Sequence, residues 1–224
     1  MQRILVIAAH PDDEILGCGG TMAAHAQVGD AVHVALMAQG LAARGDTSAE
    51  AFAQHQAAAQ RANAVLGVQS VHFGGFADNA MDSVPLLHVA RAIEALVAQL
   101  QPTTIYTHHP GDLNVDHRVV SEATAIACRP QPGCGVDQIL FFEVASSTEW
   151  RLGGAVQAFA PNWYRDITAQ LDTKIAALRQ YDHEMRTWPH ARSYEAVSHL
   201  ARWRGATIGA EAAEAFMLGR KIQR

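Results

Sequence analysis

Short apolar segments that alternate with longer alanine-rich segments most constrain how this chain can fold. Residues 4–9 form a continuous apolar run, which is typical of a strand buried on both faces of a parallel sheet. The same type of run recurs, and it predicts further strands at residues 31–37, 71–73, 103–107 and 139–144. Between these runs, the longer segments predict helices at residues 13–27, 48–66, 84–99 and 118–128.

Strands and helices in this alternation predict an α/β fold, with a Rossmann-like, open, mainly parallel sheet and helices on both faces. We expect a single domain over residues 1–224, because this length fits one large domain and no linker or repeat interrupts it. The C-terminal portion is predicted to be helical, with helices at residues 166–181, 193–205 and 211–222 that pack over the sheet.

Composition places the chain among soluble globular proteins. Hydrophobic residues make up 49 % of it and 42 of them are alanine, the best helix former. The net charge of −5 gives no basic surface for nucleic acid, so we expect no nucleic-acid partner. No apolar run approaches the ~18 residues of a membrane span, and the first run is too short for a signal peptide. We therefore expect no membrane insertion and a cytoplasmic location with three reduced cysteines; the alanine-rich helices permit a homo-oligomer.

Two clusters of metal-compatible side chains directly follow predicted strands. Residues 10–14 read HPDDE after the first strand, and residues 108–117 read HHPGDLNVDH after the fourth. Functional sites of open α/β sheets form beyond the carboxyl ends of the strands, so both clusters are predicted at the same edge. Acids at a helix start also cap free N–H groups, which stabilises a helix by about 0.3–1 kcal/mol each. Capping does not explain the histidines of either cluster.

The glycines at residues 17, 19 and 20 invite comparison with a dinucleotide-binding turn. That fingerprint places glycines in the strand–helix turn, where backbone N–H groups face a pyrophosphate. Here Asp12, Asp13 and Glu14 occupy the turn and would repel a phosphate. The glycines come one helical turn later, which favours close packing of a helix on the sheet.

We predict a divalent metal held by His10, Asp13 and His117. Two imidazoles and one carboxylate leave a tetrahedral Zn²⁺ one open position for water, which is the catalytic arrangement. Metal-bound water has a pKa of about 7, and a neighbouring carboxylate can take its proton. Asp12 is the expected base, because adjacent residues cannot both point at one ligand position. One zinc ion per chain is expected, and Fe²⁺ also fits such a site.

A metal-bound water with a neighbouring base predicts a hydrolase, and two other classes of protein are the alternatives. Iron(II) oxygenases also use two histidines and a carboxylate, but their usual scaffold is an all-β jelly roll, which the α/β pattern contradicts. A catalytically silent metal-binding or sugar-binding protein is the non-enzymatic alternative. A structural zinc would have four protein ligands, and the extra carboxylate of Asp12 favours catalysis.

The two clusters together resemble the motifs of the LmbE-like (PIG-L-type) zinc-dependent N-deacetylases, bacterial members included. The residues that carry the resemblance are AHPDDE at 9–14 and DHR at 116–118. It extends over most of the chain, through residues 61–67, 78, 111–117, 142–144, 146–150, 189–193 and 213–216. The resemblance implies hydrolysis of the acetamide of an N-acetylglucosamine-type sugar or conjugate to the amine and acetate. Amide hydrolysis of a non-sugar or thiol conjugate is the alternative.

Carried over by position, the resemblance implies that Asp12 is the general base and that Asp116 orients a ligand or the catalytic histidine. Many family members have a histidine where this chain has Asn114. Asparagine can donate a hydrogen bond to an oxyanion but cannot deliver a proton. The general acid therefore stays open among four candidates, which are Asp12, His108, His109 and His190.

Four further residues are assigned to substrate binding. Arg44 follows the second strand and could hold a sugar hydroxyl or a phosphate, although a solvated arginine fits that loop equally well. His109 and Asp112 belong to the second cluster, and Arg192 lies in a proline-containing loop beside His190.

Overall fold

Residues 1–40, 48–153 and 157–223 are described by the structure, a computed structural model. Its strands are Arg3–Ala8 (β1), Ala31–Ala38 (β2), Ser70–Phe76 (β3), Thr104–His108 (β4), Gln138–Phe142 (β5), Trp163–Asp166 (β6) and Ala213–Lys221 (β7). Its α-helices are Asp13–Gln27 (α1), Ala49–Val65 (α2), Leu86–Leu100 (α3), Val115–Ala127 (α4), Leu171–Leu178 (α5) and Tyr194–Ile208 (α6). The predicted site residue Arg44 lies outside the described residues.

All seven strands form one sheet in the order β3-β2-β1-β4-β5-β7-β6. Strands β1 to β5 are parallel, and β7 is antiparallel to both of its neighbours. The chain runs outward from β1 to β3 on one side and then from β4 to β5 on the other. The strand order thus reverses between β1 and β4, where ligands bind in open α/β sheets. His10 follows β1 and His108 ends β4, so both polar clusters reach this crevice.

Strand β1 is buried on both faces, as its continuous apolar run predicts. Ile4 and Val6 pack into a hydrophobic layer with helices α1, α2 and α5. Leu5 and Ile7 face the opposite layer, which contains helices α3 and α4. Helices therefore cover both faces of a mainly parallel sheet, and the predicted fold class is confirmed. Within the described residues, no helix combines the length and apolar character needed to cross a membrane.

The glycines of α1 let this helix lie close against its neighbours. A Cβ atom on Gly17 would lie 2.7 Å from Cγ of Phe142, and one on Gly20 would lie 2.7 Å from Cδ1 of Ile167. Real side chains do not tolerate such distances, so a larger residue would force the helix away. The interpretation of these glycines as packing residues is confirmed.

The C-terminal third differs from the sequence prediction. Residues 211–222, predicted as a helix, contain strand β7, and residues 166–181 contain the end of β6 followed by the shorter helix α5. Phe216 of β7 is fully buried and pairs with Phe142 of β5, so sheet pairing overrides the helix propensity of the alanines and glutamates. The prediction of a wholly helical C-terminal portion is therefore wrong, whereas the helix predicted at 193–205 is confirmed as α6.

Candidate metal centre

The turn between β1 and α1 has an unusual backbone conformation. Asp12 has φ 106°, which residues other than glycine adopt only where the surroundings enforce it. The enforcing group is Glu14, whose Oε2 accepts a hydrogen bond from the Asp12 N–H at 3.0 Å. Its Oε1 accepts from Asn63 Nδ2 at 2.9 Å and from the Tyr181 hydroxyl at 3.0 Å. Burial, countered by the hydrogen bond from Asn63, raises the pKa of Glu14 to about 7.

Three predicted ligands converge around one carboxylate oxygen. Asp13 Oδ2 lies 3.1 Å from His10 Nδ1 and 3.1 Å from His117 Nε2. Ligand atoms of a tetrahedral zinc site are about 3.3–3.5 Å apart, as follows from bond lengths of about 2.0–2.2 Å. Asp13 Oδ1 is buried and has no hydrogen-bond partner among the described residues, which is rare unless a further group completes the site. The donor set and this orphaned oxygen fit a divalent metal such as zinc.

Carboxylates also face the outer nitrogens of both histidines. His10 Nε2 lies 3.0 Å from Asp116 Oδ2 and 3.1 Å from Asp78 Oδ1. His117 Nδ1 lies 3.1 Å from Asp112 Oδ1. Carboxylates behind ligating histidines fix the ring orientation and the tautomer. The predicted orienting role of Asp116 is compatible with its contact with His10 Nε2.

The electrostatics of the cluster reflect its concentration of acids. Burial works against ionisation of Asp13, but His117 and His10 hold the pKa of its carboxyl well below the ordinary value. Burial likewise works against protonation of His10, yet Asp116, Asp13 and Asp78 raise its pKa well above the ordinary value. The protein surrounds this position with negative charge, which favours a cation there.

Asp112 does not lie in the open cleft, where a substrate-binding role would place it. It is fully buried, and its carboxylate accepts hydrogen bonds from Ser147 Oγ, Thr148 Oγ1 and the Asn114 N–H. Burial works against ionisation, but the contacts with His117 and the two hydroxyls hold its pKa below the ordinary value. With these partners, the Asp112 carboxylate is buried and is not exposed to the cleft. The substrate-binding role of Asp112 stays a prediction, and the contacts described here place its carboxylate against His117 Nδ1.

The predicted base Asp12 is paired with Arg192. Arg192 Nη1 donates to Asp12 Oδ2 at 2.8 Å, and its Nε donates to Ser146 Oγ at 2.7 Å. Attraction to Asp12, which outweighs the effect of burial, raises the pKa of Arg192. Both side chains line a cleft of about 140 Å³ beside the metal cluster. Other residues that line this cleft include His10, Asp78, Asn79, Asn114 and Glu184.

Asn114 caps the start of helix α4 and also lines the cleft. As the N-cap of α4, its Oδ1 accepts from the Asp116 N–H at 2.8 Å. Its Nδ2 donates to Asn79 Oδ1 at 3.0 Å. An amide nitrogen has two hydrogens, so this contact leaves one for another acceptor.

The remaining histidine candidates lie at different depths. His108 is fully buried, stacks on the His117 ring at 3.9 Å between centroids, and accepts the Ala9 N–H at Nε2. Burial and the neighbouring His117 lower its pKa well below the ordinary value. His109 Nε2 lies 2.9 Å from the Gln157 carbonyl oxygen and faces a second cavity.

His190 likewise does not line the cleft that contains Asp12. Its Nδ1 accepts from the Arg192 N–H at 3.0 Å, and its ring packs edge-on against Trp150. The structure therefore brings Asp12, Asn114 and Arg192 together at the cleft and separates His109 and His190 from it.

Several residues of the site had no predicted role. Asp78 and Asn79 join the cleft from the loop after β3, and the Asn79 N–H donates to Asp116 Oδ2 at 2.7 Å. The sequence could have indicated both residues, because they follow a predicted strand at the same edge of the sheet. Ser147 and Thr148, which hold Asp112, had no comparable signal.

The sequence profile of the PIG-L family, described as GlcNAc-PI de-N-acetylase, matches residues 5–128. This region is more than half of the chain and includes both polar clusters. The protein belongs to the PIG-L family.

Relatives of this chain include named deacetylases. The uncharacterized deacetylase YaiS of Escherichia coli K12 is 30 % identical over 185 residues, which cover 80 % of this chain and 89 % of the relative. The 1D-myo-inositol 2-acetamido-2-deoxy-alpha-D-glucopyranoside deacetylase of Mycolicibacterium vanbaalenii is 25 % identical, over an alignment that covers 89 % of this chain and 86 % of that protein.

Solved structures share the fold at lower identity. The N,N'-diacetylchitobiose deacetylase of Pyrococcus horikoshii superposes with a TM-score of 0.77 at 19 % identity and covers 98 % of this chain and 84 % of that one. The 4-carboxy-2-hydroxymuconate hydratase of Pseudomonas putida superposes with a TM-score of 0.75 at 22 % identity, and the match covers 100 % of this chain and 98 % of that one. Proteins with different reactions thus share this fold, so the reaction must be argued from the site.

Proposed function

We propose that this protein is a zinc-dependent deacetylase that hydrolyses the acetamide of an N-acetylated sugar or sugar conjugate of the N-acetylglucosamine type. The observation that carries the proposal is the position of Asp12, in an open cleft directly beside the cluster of His10, Asp13 and His117. Family membership supports amide hydrolysis. The relative from Mycolicibacterium, named for an acetamido-glucopyranoside substrate, supports the sugar class.

His10 Nδ1, the Asp13 carboxylate and His117 Nε2 would hold the metal. When bound, zinc polarises an amide carbonyl and lowers the pKa of coordinated water to about 7. Three protein ligands would leave a coordination position open for water or substrate. Asp116 and Asp112 keep the two imidazoles in the ligating orientation.

Asp12 acts as the general base in this proposal. Arg192 Nη1 donates to the Asp12 carboxylate and orients it at the cleft, and the hydrogen bond from the Asp12 N–H to Glu14 fixes the backbone beneath it. A carboxylate so held can take a proton from the attacking water. Asn114 Nδ2, with its second hydrogen, would donate to the oxygen that becomes negative in the tetrahedral intermediate.

Asp12 also serves as the general acid, by returning the proton that it has taken to the leaving amine. The histidine candidates are placed unfavourably for this step. His108 accepts the Ala9 N–H at Nε2, so the nitrogen that lies 3.6 Å from Asp13 has no proton to give. His109 and His190 are directed to Gln157 and to the backbone of Arg192 instead.

Acetate release from a panel of N-acetylated substrates tests the proposal. The panel would contain N-acetylglucosamine, diacetylchitobiose, a nucleotide sugar, an inositol conjugate and an N-acetylated thiol. We expect release from at least one sugar, loss of release with a chelator and recovery with zinc. Zinc-loaded protein that releases no acetate from any sugar, or that acts only on the thiol, would contradict the proposed substrate class.

The Asp12→Asn variant tests the role of the base. We expect bound zinc to stay at the wild-type level while turnover falls by about 10²–10⁴-fold, the usual contribution of a general base. Asp172→Asn, at an exposed aspartate of α5, is the matched control and should keep both zinc and activity. Undiminished turnover in Asp12→Asn would remove Asp12 from this role.

A further inference from the structure

A second group of metal-binding side chains lies at the rim of the cleft, separate from His10, Asp13 and His117. It consists of His55 on helix α2 together with His183 and Glu184 in the segment after α5. His55 Nδ1 lies 3.3 Å from His183 Nε2, and His183 Nε2 lies 3.5 Å from Glu184 Oε1. His55 Nδ1 lies 4.0 Å from the same carboxylate oxygen.

From these distances we infer that His55, His183 and Glu184 bind a second divalent transition-metal ion, such as zinc. Ligand atoms of a tetrahedral zinc site are about 3.3–3.5 Å apart, as follows from its bond lengths. Two of the three separations fall at this value, and the third requires a side-chain adjustment of about half an ångström. Two imidazoles and one carboxylate repeat the donor set of the first cluster.

Two of the three side chains in this group are buried, and the third is accessible to solvent. The side chains of His55 and Glu184 are 3 % and 6 % exposed, whereas that of His183 is 47 % exposed. An ion can therefore enter past His183 onto two ligands that are already held in place. Imidazole nitrogens select zinc, copper or nickel over magnesium and calcium, which prefer oxygen ligands. Without an ion, the His55 and His183 rings lie within hydrogen-bond distance of each other.

Occupancy of this site would affect the wall of the cleft. Glu184 itself lines the cleft beside Arg192. The segment that contains His183 and Glu184 also supports Arg192, because the Arg186 N–H donates to the Arg192 carbonyl at 3.1 Å. An ion bound to His55 would thus fix α2 to the segment that positions Arg192. The chain would then bind two ions, in contrast to the single ion expected from its sequence.

Zinc titration of the metal-stripped, full-length protein against a chromophoric chelator tests this inference without any activity measurement. We expect two zinc ions per wild-type chain, of which one binds more weakly. His183→Gln should bind one, and His183 is exposed, so the substitution leaves the core intact. Glu184→Gln should weaken the second ion at least tenfold. The double variant His10→Gln, Asp13→Asn should keep one ion, and adding His183→Gln should remove it.

The control is His199→Gln, at an exposed histidine outside both groups, which should bind two ions like the wild type. A wild-type protein that binds one zinc ion would overturn the inference. So would a His183→Gln variant that binds as much as the wild type, or a His199→Gln variant that loses an ion as well. Cobalt(II) absorption in the visible region gives a second measurement, in which His183→Gln should lose the contribution of one tetrahedral site.

Discussion

Asp116 Oδ2 lies 3.0 Å from His10 Nε2, on the side of the ring opposite to Asp13. The next residue, His117, faces Asp13 directly. Two consecutive residues at the start of α4 thus contact two different members of the proposed metal site, since Asp116 lies against His10 and His117 lies against Asp13. The helix start is fixed by Asn114, which caps the Asp116 N–H.

The Asp116→Asn variant should bind zinc about 10–100-fold more weakly, which is the usual effect of losing a carboxylate behind a ligating histidine. Asn79 and Met81 donate their backbone N–H groups to different oxygens of Asp116. An amide keeps only one oxygen, so its NH2 group would face one of these two donors and that hydrogen bond would be lost. Competition with a chelator measures the affinity. Asp82→Asn, at an exposed aspartate nearby, should bind zinc as the wild type does. Equal zinc affinity in Asp116→Asn would show that the contact with His10 is not needed.

The proximity of His10, Asp13 and His117 could be predicted from sequence because these residues lie in the segments that follow strands β1 and β4 of a recognisable parallel sheet. His10 and Asp13 follow β1, and His117 follows β4, and the strand order brings these two ends together. The position of these three residues at one edge of the sheet depends on the order of the strands alone. It needs no knowledge of which side chains meet across the cleft.

Features that depend on contacts between distant parts of the chain could not be predicted from sequence. Asp112 is buried and accepts hydrogen bonds from Ser147 and Thr148, which lie in the loop after β5. Strand β7 forms because Phe216 and its neighbours are inserted between β5 and β6, although the local composition favours a helix. In both cases tertiary partners decide the outcome, and local sequence does not show which partners will meet.

The Gly17→Ala variant tests the close packing of α1. In a helix interior, alanine is more favourable than glycine by about 1 kcal/mol. If there were space for its methyl group, the substitution would therefore stabilise the protein. The added Cβ would instead meet the Phe142 ring, and overpacking of this kind costs about 1–3 kcal/mol. We expect a lower midpoint of thermal unfolding. Gly135→Ala, where the nearest described atom is 3.9 Å from the added Cβ, should not lower it, and a more stable Gly17→Ala protein would contradict the packing interpretation.

The Glu14→Gln variant should destabilise the protein. The carboxylate of Glu14 accepts hydrogen bonds from Asp12, Asn63 and Tyr181, and an amide would turn one acceptor into a donor. A buried donor without an acceptor costs about 1–3 kcal/mol, and each kcal/mol lowers Tm by about 2–4 °C in a domain of this size. Calorimetry measures the shift. Glu122→Gln, at an exposed glutamate of α4, is the control, and an unchanged Tm in Glu14→Gln would mean that the network rearranges without loss.

Arg192 is expected to be a positioning residue for Asp12. Its fork donates to Asp12 through Nη1 and to Ser146 through Nε, so it fixes the carboxylate relative to a second loop. The Arg192→Gln variant should lose about 10²-fold in kcat, because misplacement of a reacting group by about 1 Å has an effect of this size. Its zinc content should stay at the wild-type level, since Arg192 is not a ligand.

Arg192→Lys separates charge from geometry. Lysine keeps the positive charge beside Asp12 but lacks the planar fork that also reaches Ser146. We therefore expect kcat between those of the wild type and Arg192→Gln, with zinc content again unchanged. Arg91→Gln, at an exposed arginine of α3, controls for loss of a positive charge. If Arg192→Lys were as active as the wild type, charge alone would account for the role of Arg192. If Arg192→Gln were also fully active, Asp12 would be held by its backbone turn and by Glu14 without help from the arginine.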